Sequence, residues 1–430
     1  MSDSKATDIR ELTLDQRKME NFKSYFYLIE AVFYFLQGIY VAGIQVYITY
    51  YTTKVFMLDY VTIATITATI SVPTYLKMFT GLFSDRVPIG RLGRRKPYLF
   101  LGGILFIPAF IGLASIKEYS EVWLAALVVC FACFVIVDGT ADALTVDVTP
   151  DEYASKMQGY ANGGRYAGMA VGVIFSSILS GIIGWNIIIF VLALAAIGQA
   201  FVTLLFKEVP GTTQRKDLIS IPAAVKLGFG NWGAWLGLLF AMCFMGAMGL
   251  ANIVGPLVMN NTNQTIYGIS TMVNYIAIAA TAFVVGQIIN KVGGLCNRNI
   301  WIMFGLIWVL LLPWLLVDGH WSNTALVIVA NLTMGMARGI VTVITYAVLM
   351  RLCSDAIEGF MFAVFTSVMN IGLQSIAPKV IAYFGQTLNW GMIPALFTML
   401  PLMLIGILTI PGINRSVAAR LARETPPEAL

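Results

Sequence analysis

Gly81-Leu-Phe-Ser-Asp85-Arg86, followed after six residues by Gly93-Arg94-Arg95-Lys96-Pro97, is a dense charged turn set between two long apolar runs. A fainter copy starts 205 residues later, where Gly286 carries Asn290-Lys291 at the same spacing and Arg298 follows. Two apolar blocks that each place a glycine, a polar residue and a cation in one loop indicate an internally duplicated membrane protein.

Composition agrees. Hydrophobic residues make up 58% of the chain and charged ones 11%, against roughly 45–50% and about 25% in soluble domains. Such a chain cannot hide its apolar surface inside a water-soluble globule. Apolar runs of about 20 residues bounded by polar turns give twelve spans, centred near Gln37, Ala68, Leu105, Cys133, Val171, Val191, Gly246, Ala279, Leu306, Met336, Asn370 and Pro401. The expected fold is all-α and integral to the membrane, with twelve transmembrane helices in two pseudo-symmetric six-helix bundles. The longest polar stretch between spans starts at Lys207 and mixes Pro, Gly and both charges, as a linker does. The expected organisation is an N-terminal segment (1–25), a first bundle (26–206), a linker (207–228), a second bundle (229–411) and a tail (412–430).

Orientation follows from the loops. With the N-terminus inside, 21 of the 27 Lys and Arg residues fall in inner segments and only Lys54 and Lys117 in outer ones, so the positive-inside rule puts both termini in the cytoplasm. The net charge of +5 is thereby explained by topology, and no nucleic-acid partner is expected. Met1 to Lys23 lacks the apolar core and small-residue cleavage site of a signal peptide and is expected to lie on the inner leaflet. The expected location is the plasma membrane, in bacteria the inner membrane. Cys130 and Cys133 form a C-x-x-C inside an apolar helix, without His or a second pair, so packing explains them better than metal or redox chemistry. The only His, His320, falls in a short outer loop and cannot carry protons at the midplane. No cofactor and no metal site are expected.

An ionised side chain at mid-bilayer costs roughly 2.5–3.5 kcal/mol on insertion scales and needs a partner or water. Seven fall inside spans: Glu30, Lys77, Asp138, Asp142, Arg165, Arg338 and Lys379. Lys77 and Lys379 lie near span ends and can extend toward water. Asp138 and Asp142 are one turn apart on one face, two carboxylates side by side in low dielectric that suit a proton carrier; alternatively Asp142 pairs with Arg165 from the next helix. Asp147, ahead of Pro150, is placed at the inner end as a gate or structural charge. Arg338 shares a face with Asn331, Thr342 and Thr345, a polar stripe that must line an aqueous cavity. Its guanidinium suits a carboxylate, a phosphate or sugar hydroxyls, or a salt bridge to Asp138 or Glu30. The first span repeats the theme with Glu30, Tyr34, Gln37 and Gln45, and the eleventh with Thr366, Asn370 and Gln374. Small residues at Gly164, Gly168, Gly172, Ser176, Ser180 and Gly184 make the fifth span a close-contact helix, either static or sliding between halves.

The loop Gly81, Asp85, Arg86, Gly93, Arg94, Arg95 resembles the signature of the major facilitator superfamily, G-x-x-x-D-[RK] then G-[RK]-[RK], with the gap widened by Val87 to Leu92. The ending G-R-R-K-P-Y is similar to that of sucrose-type, folate and biopterin, and muropeptide permeases. Tyr34-Phe-Leu-Gln-Gly-Ile39 is similar to the folate and biopterin group, and Arg351-Leu-Cys353, with Phe362-Ala363 and Ser367, to the muropeptide group. The resemblance implies a rocker-switch carrier whose helices one, four, seven and ten line the cavity, with Asp85 and Arg94 or Arg95 latching inner helix ends.

These readings predict a secondary active transporter of a small polar or anionic organic solute (sugar, muropeptide, pterin or organic acid), working by alternating access as a proton symporter. Gln37, Tyr34, Asn331, Arg338, Thr342, Asn370 and Gln374 are the expected substrate contacts, and Glu30, Asp138 and Asp142 the proton sites. Asp85, Arg86, Arg94, Arg95, Asp147 and Arg165 are the expected cytoplasmic gate. Sodium is the alternative coupling ion, and one chain encloses a complete path, so a monomer is expected. The alternative is a membrane assembly factor or receptor of the same fold that has lost transport. An enzyme is not expected, because no nucleophile, base or metal set converges.

Overall fold

A computed structural model of the chain describes residues 14–80, 95–150, 153–207, 220–289, 296–353 and 357–424, and these are helical with no strand among them. The membrane-spanning elements are α1 (Phe26–Val55), α2 (Tyr60–Ile70, carried on by Val72–Tyr75), α3 (Lys96–Ser115), α4 (Glu121–Val148), α5 (Ala154–Ile183), α6 (Trp185–Thr203), α7 (Trp232–Asn261), α8 (Gln264–Ile289), α9 (Asn297–Val317), α10 (Thr324–Leu352), α11 (Phe360–Thr387) and α12 (Met392–Ala419). Eleven of these, among the described residues, are long and apolar enough to cross a membrane unbroken, and α2 is the short one. Its run breaks at Ser71, because Pro73 in the first turn of the next piece supplies no backbone N–H to continue the ladder. Asp59 starts α2 by accepting a hydrogen bond from the Thr62 amide at 3.0 Å.

Twelve crossings put both chain ends on one side, here called the terminal face, opposite a distal face. Buried apolar side chains form two clusters. One lies between Phe26 and Phe206; the other lies mostly between Ala224 and Val417, and takes in Ala42, Val46, Ala64, Ala170 and Val173 where the first half touches the second. Without a hydrophobic force between helices in lipid, close packing decides which faces meet. The tightest pair is α1 on α5. A Cβ at Gly164, Gly168 or Gly172 would overlap the backbone of Ala31, Phe35 or Ile39, so this stripe locks two helices of the same half together. The sliding reading therefore does not hold for these three glycines. The distal half of α5 also packs along α8 of the other half, with Ala170 and Val173 buried there and Gln264 Nε2 donating to Ser180 Oγ at 2.5 Å. Gly168→Val should cost roughly 1–3 kcal/mol or more, since backbone and not a flexible side chain blocks the added atoms. The yield of monodisperse protein after heating reads this, and a wild-type yield would contradict it.

α7 and α11 deviate from α geometry at the same depth. α7 passes through a π turn at Ala241–Met245 and a 3-10 turn at Gly246–Leu250, and α11 has a π turn at Gly372–Ile376. Gly246 and Gly249 let the α7 backbone touch Gly372 and Leu373. Irregular turns release carbonyls that lipid cannot satisfy. Asn252 answers one by donating to Leu373 O at 3.0 Å, and it holds Gln374 Oε1 at 3.0 Å as well. The helix of the last span runs on to Glu424, with Ile413 and Val417 buried within the span. At the other end, the helix Leu14–Asn21 is tied to the end of the first half by Asn21 Nδ2 donating to Lys207 O at 2.8 Å.

Candidate functional site: a charge cluster and a polar cavity

Four charges from three helices of the first half meet at one point. Asp138 on α4 is 5% exposed; its Oδ2 lies 2.5 Å from Lys77 Nζ and its Oδ1 2.6 Å from Arg165 Nη2. Asp142, one turn closer to the terminal face, takes Lys77 Nζ at 2.6 Å and accepts from Tyr34 Oη at 2.5 Å. The Arg165 guanidinium lies over the Tyr34 ring, 4.5 Å from its centre. Two cations and two carboxylates cancel, which makes the burial tolerable. Lys77 was expected to reach water; it bridges both carboxylates instead. Arg165 was expected beside Asp142 and among the gate residues, but its carboxylate is Asp138. Tyr34, expected at the substrate, binds Asp142. The Asp142 side chain is 46% exposed, so water reaches the cluster between the helices.

Glu30, one turn before Tyr34 on α1, is 1% exposed. Its Oε1 is 2.5 Å from Thr145 Oγ1, which also lies 3.0 Å from Ala141 O. No cation stands within salt-bridge distance of Glu30 among the described residues. Gln37 lies next to Asp138 in the first half, yet neither of its amide atoms finds a hydrogen-bond partner.

The second feature is a cavity of about 120 Å³ between the halves, in the distal part of the molecule. Its polar lining includes Gln45 and Thr49 of α1, Asn252 of α7, Thr271 and Asn274 of α8, Asn331 and Arg338 of α10 and Gln374 of α11. Arg338 Nη1 donates to Asn274 Oδ1 at 3.0 Å, and Asn274 Nδ2 donates to Asn331 O at 2.8 Å. Neither Asp138 nor Glu30 reaches Arg338, and no carboxylate pairs with it among the described residues. Of the expected substrate contacts, Asn331, Arg338 and Gln374 meet here. Thr342 Oγ1 donates to its own helix at Arg338 O, and Asn370 is half-buried off the lining. The expected set of helices one, four, seven and ten is also too narrow, because α2, α8 and α11 contribute while α4 supplies only Phe131. Sequence reading passed over α8, although Tyr267, Thr271 and Asn274 recur at helical spacing.

On the distal side the halves are tied together. Lys54 Nζ donates to Asn260 O at 3.2 Å, Asn260 Nδ2 to Tyr60 Oη at 3.1 Å, Val61 N to Gln386 Oε1 at 3.2 Å and Tyr275 Oη to Gln45 Oε1 at 2.8 Å. Nearer the terminal face, Met78 N donates to Ser367 Oγ at 3.3 Å. Of the expected gate residues, Asp85, Arg86 and Arg94 lie outside the described residues. Arg95 and Asp147 pair at 3.0 Å between Nε and Oδ2, joining the start of α3 to the end of α4.

Two helical halves around a polar cavity, with membrane-embedded charges turned inward, define a multi-pass membrane carrier. The chain belongs to the Major Facilitator Superfamily, whose family profile matches residues 27–259. No curated protein sequence matches it. Among solved structures it is similar to a mutant of the nucleoside transporter NupG, with a TM-score of 0.67 at 10% identity over 93% of this chain and 100% of that one. It is similar also to a POT family transporter in complex with 5-aminolevulinic acid, and to one in complex with a thioalcohol-conjugated peptide. Each of those two has a TM-score of 0.73 at 12% identity over 94% of this chain and 100% of the other. Identities this low establish the shared fold. Membership of the superfamily makes the protein a secondary transporter.

Proposed function

We propose that the protein moves a small polar or anionic organic solute across the plasma membrane by alternating access, as a proton symporter acting as a monomer with both termini cytoplasmic. The observation that carries this reading is the separation of two chemistries, a polar cavity shared by both halves and a carboxylate system confined to the first half. Solute binds at Arg338, Asn274, Asn331 and Gln374. Glu30 takes the coupling proton: Thr145 has one hydroxyl hydrogen for two short contacts, and when Ala141 O receives it, Glu30 must supply the other. Asp138 and Asp142, held by Lys77 and Arg165, sense that proton through Tyr34. The Arg95–Asp147 pair serves the cytoplasmic gate with Asp85, Arg86 and Arg94. An assembly factor without transport calls for an apolar, filled seam, and the polar lining favours a carrier.

A thermal-shift screen of purified protein against sugars, peptidoglycan fragments, pterins and organic acids, followed by counterflow of the stabilising compounds in proteoliposomes, tests the reading. Exchange that becomes accumulation when a pH gradient is imposed is the expected result. Binding without exchange would contradict it.

A further inference from the structure

The four membrane-embedded cations are not equivalent. Lys77 and Arg165 are neutralised by Asp138 and Asp142, and Lys379 is exposed toward the distal end of α11. Arg338 remains, half-buried in the cavity wall, with one neutral amide oxygen as its partner. A guanidinium drawn out of bulk water is costly without a counter-charge. The amides and hydroxyls around it, from Asn274, Asn331, Thr271, Thr49 and Gln374, supply hydrogen bonds but no charge. The cavity, at about 120 Å³, is also well below the roughly 300–1,000 Å³ of sites that enclose drug-sized ligands.

Resting on the transport reading above, we infer that the solute is a compact organic monoanion whose carboxylate completes the charge of Arg338, and that it crosses together with one proton, so that each cycle moves no net charge. A bidentate carboxylate matches the planar guanidinium fork, and the neutral lining suits hydroxyl groups on the rest of the molecule. A dianion would bring a second charge for which the described lining holds no cation. A neutral sugar would leave Arg338 unpaired. A peptidoglycan fragment or a pterin conjugate would exceed the space.

The test pairs carboxylates with their uncharged counterparts: lactate with 1,2-propanediol, gluconate with sorbitol, and succinate as the dianion. The full-length purified protein should be stabilised by lactate or gluconate at concentrations at least tenfold lower than by any of the other three. Uptake of the stabilising monocarboxylate into proteoliposomes should respond to a pH gradient and be indifferent to a potassium diffusion potential. Asn274→Asp is the decisive variant, because it hands Arg338 an internal carboxylate with little change of shape. It gives up the donor to Asn331 O but should remain folded and monodisperse, and it should lose monocarboxylate binding at least tenfold; Arg338→Gln, which leaves that donor in place, should lose it as well. Tighter binding of sorbitol, 1,2-propanediol or succinate, stabilisation by no monocarboxylate, unchanged binding in Asn274→Asp, or uptake that follows the membrane potential would each overturn the inference. If neutral solutes exchange in counterflow, the transport reading survives without it; if no compound of any class exchanges, both fall.

Discussion

Asp138→Ala should be among the most damaging single substitutions in the protein. It strips Arg165 of its carboxylate and leaves Lys77 with Asp142 alone, so a cation stays in the first half without a paired charge. Breaking a buried ion pair from one side costs on the order of 3–5 kcal/mol, which is an upper figure here because the stranded Arg165 side chain is 31% exposed. The cost comes mainly from the stranded cation. Adding Arg165→Met to Asp138→Ala should therefore recover much of the lost stability, which is a coupling that thermal unfolding of the two single variants and the double variant measures directly. Simple addition of the two losses would show that the cluster is not an energetic unit.

Glu30→Gln should separate coupling from translocation. The amide keeps the shape of the side chain and can still donate to Thr145 Oγ1, 2.5 Å from the present carboxyl, but it cannot release a proton. Accumulation driven by a pH gradient should fall on the order of 100-fold, the lower range of what a positioned proton-transfer group contributes. Counterflow, which needs no net proton movement, should persist. A variant that accumulates solute like wild type would move the proton site elsewhere, with Asp142 the next candidate because it is the more exposed carboxylate of the cluster.

The helical architecture was legible because span length and hydropathy are local properties, and eleven of the expected spans stand in the structure as long apolar helices. The break in α2 was legible too, since Ser71 and Pro73 are visible in the sequence, but the apolar run around Ala68 masked it. Charge pairing was harder to read. Lys77 looks like a snorkelling residue only while its neighbours are unknown; the contact of Gly139 with Thr80 and the Lys77 stem brings α2 against α4 and turns its amine inward. Arg165 could have been matched correctly by counting depth. It lies eleven residues into α5 and Asp138 ten residues before the end of α4, so the two share a level at about 1.5 Å per residue. Asn274 escaped because an amide among apolar residues carries no charge to draw attention, and its importance depends on Arg338 coming from another helix.

Alternating access requires the distal seam to open once per transport cycle. In a cysteine-free background, Lys54→Cys with Asn260→Cys places thiols where α1 and α7 now touch, at a pair joined by a 3.2 Å hydrogen bond. Joining them with a short reducible cross-linker should stop uptake in proteoliposomes, and reduction should restore it. Uptake that continues at the uncross-linked rate while the seam is held shut would contradict alternating access between these two halves.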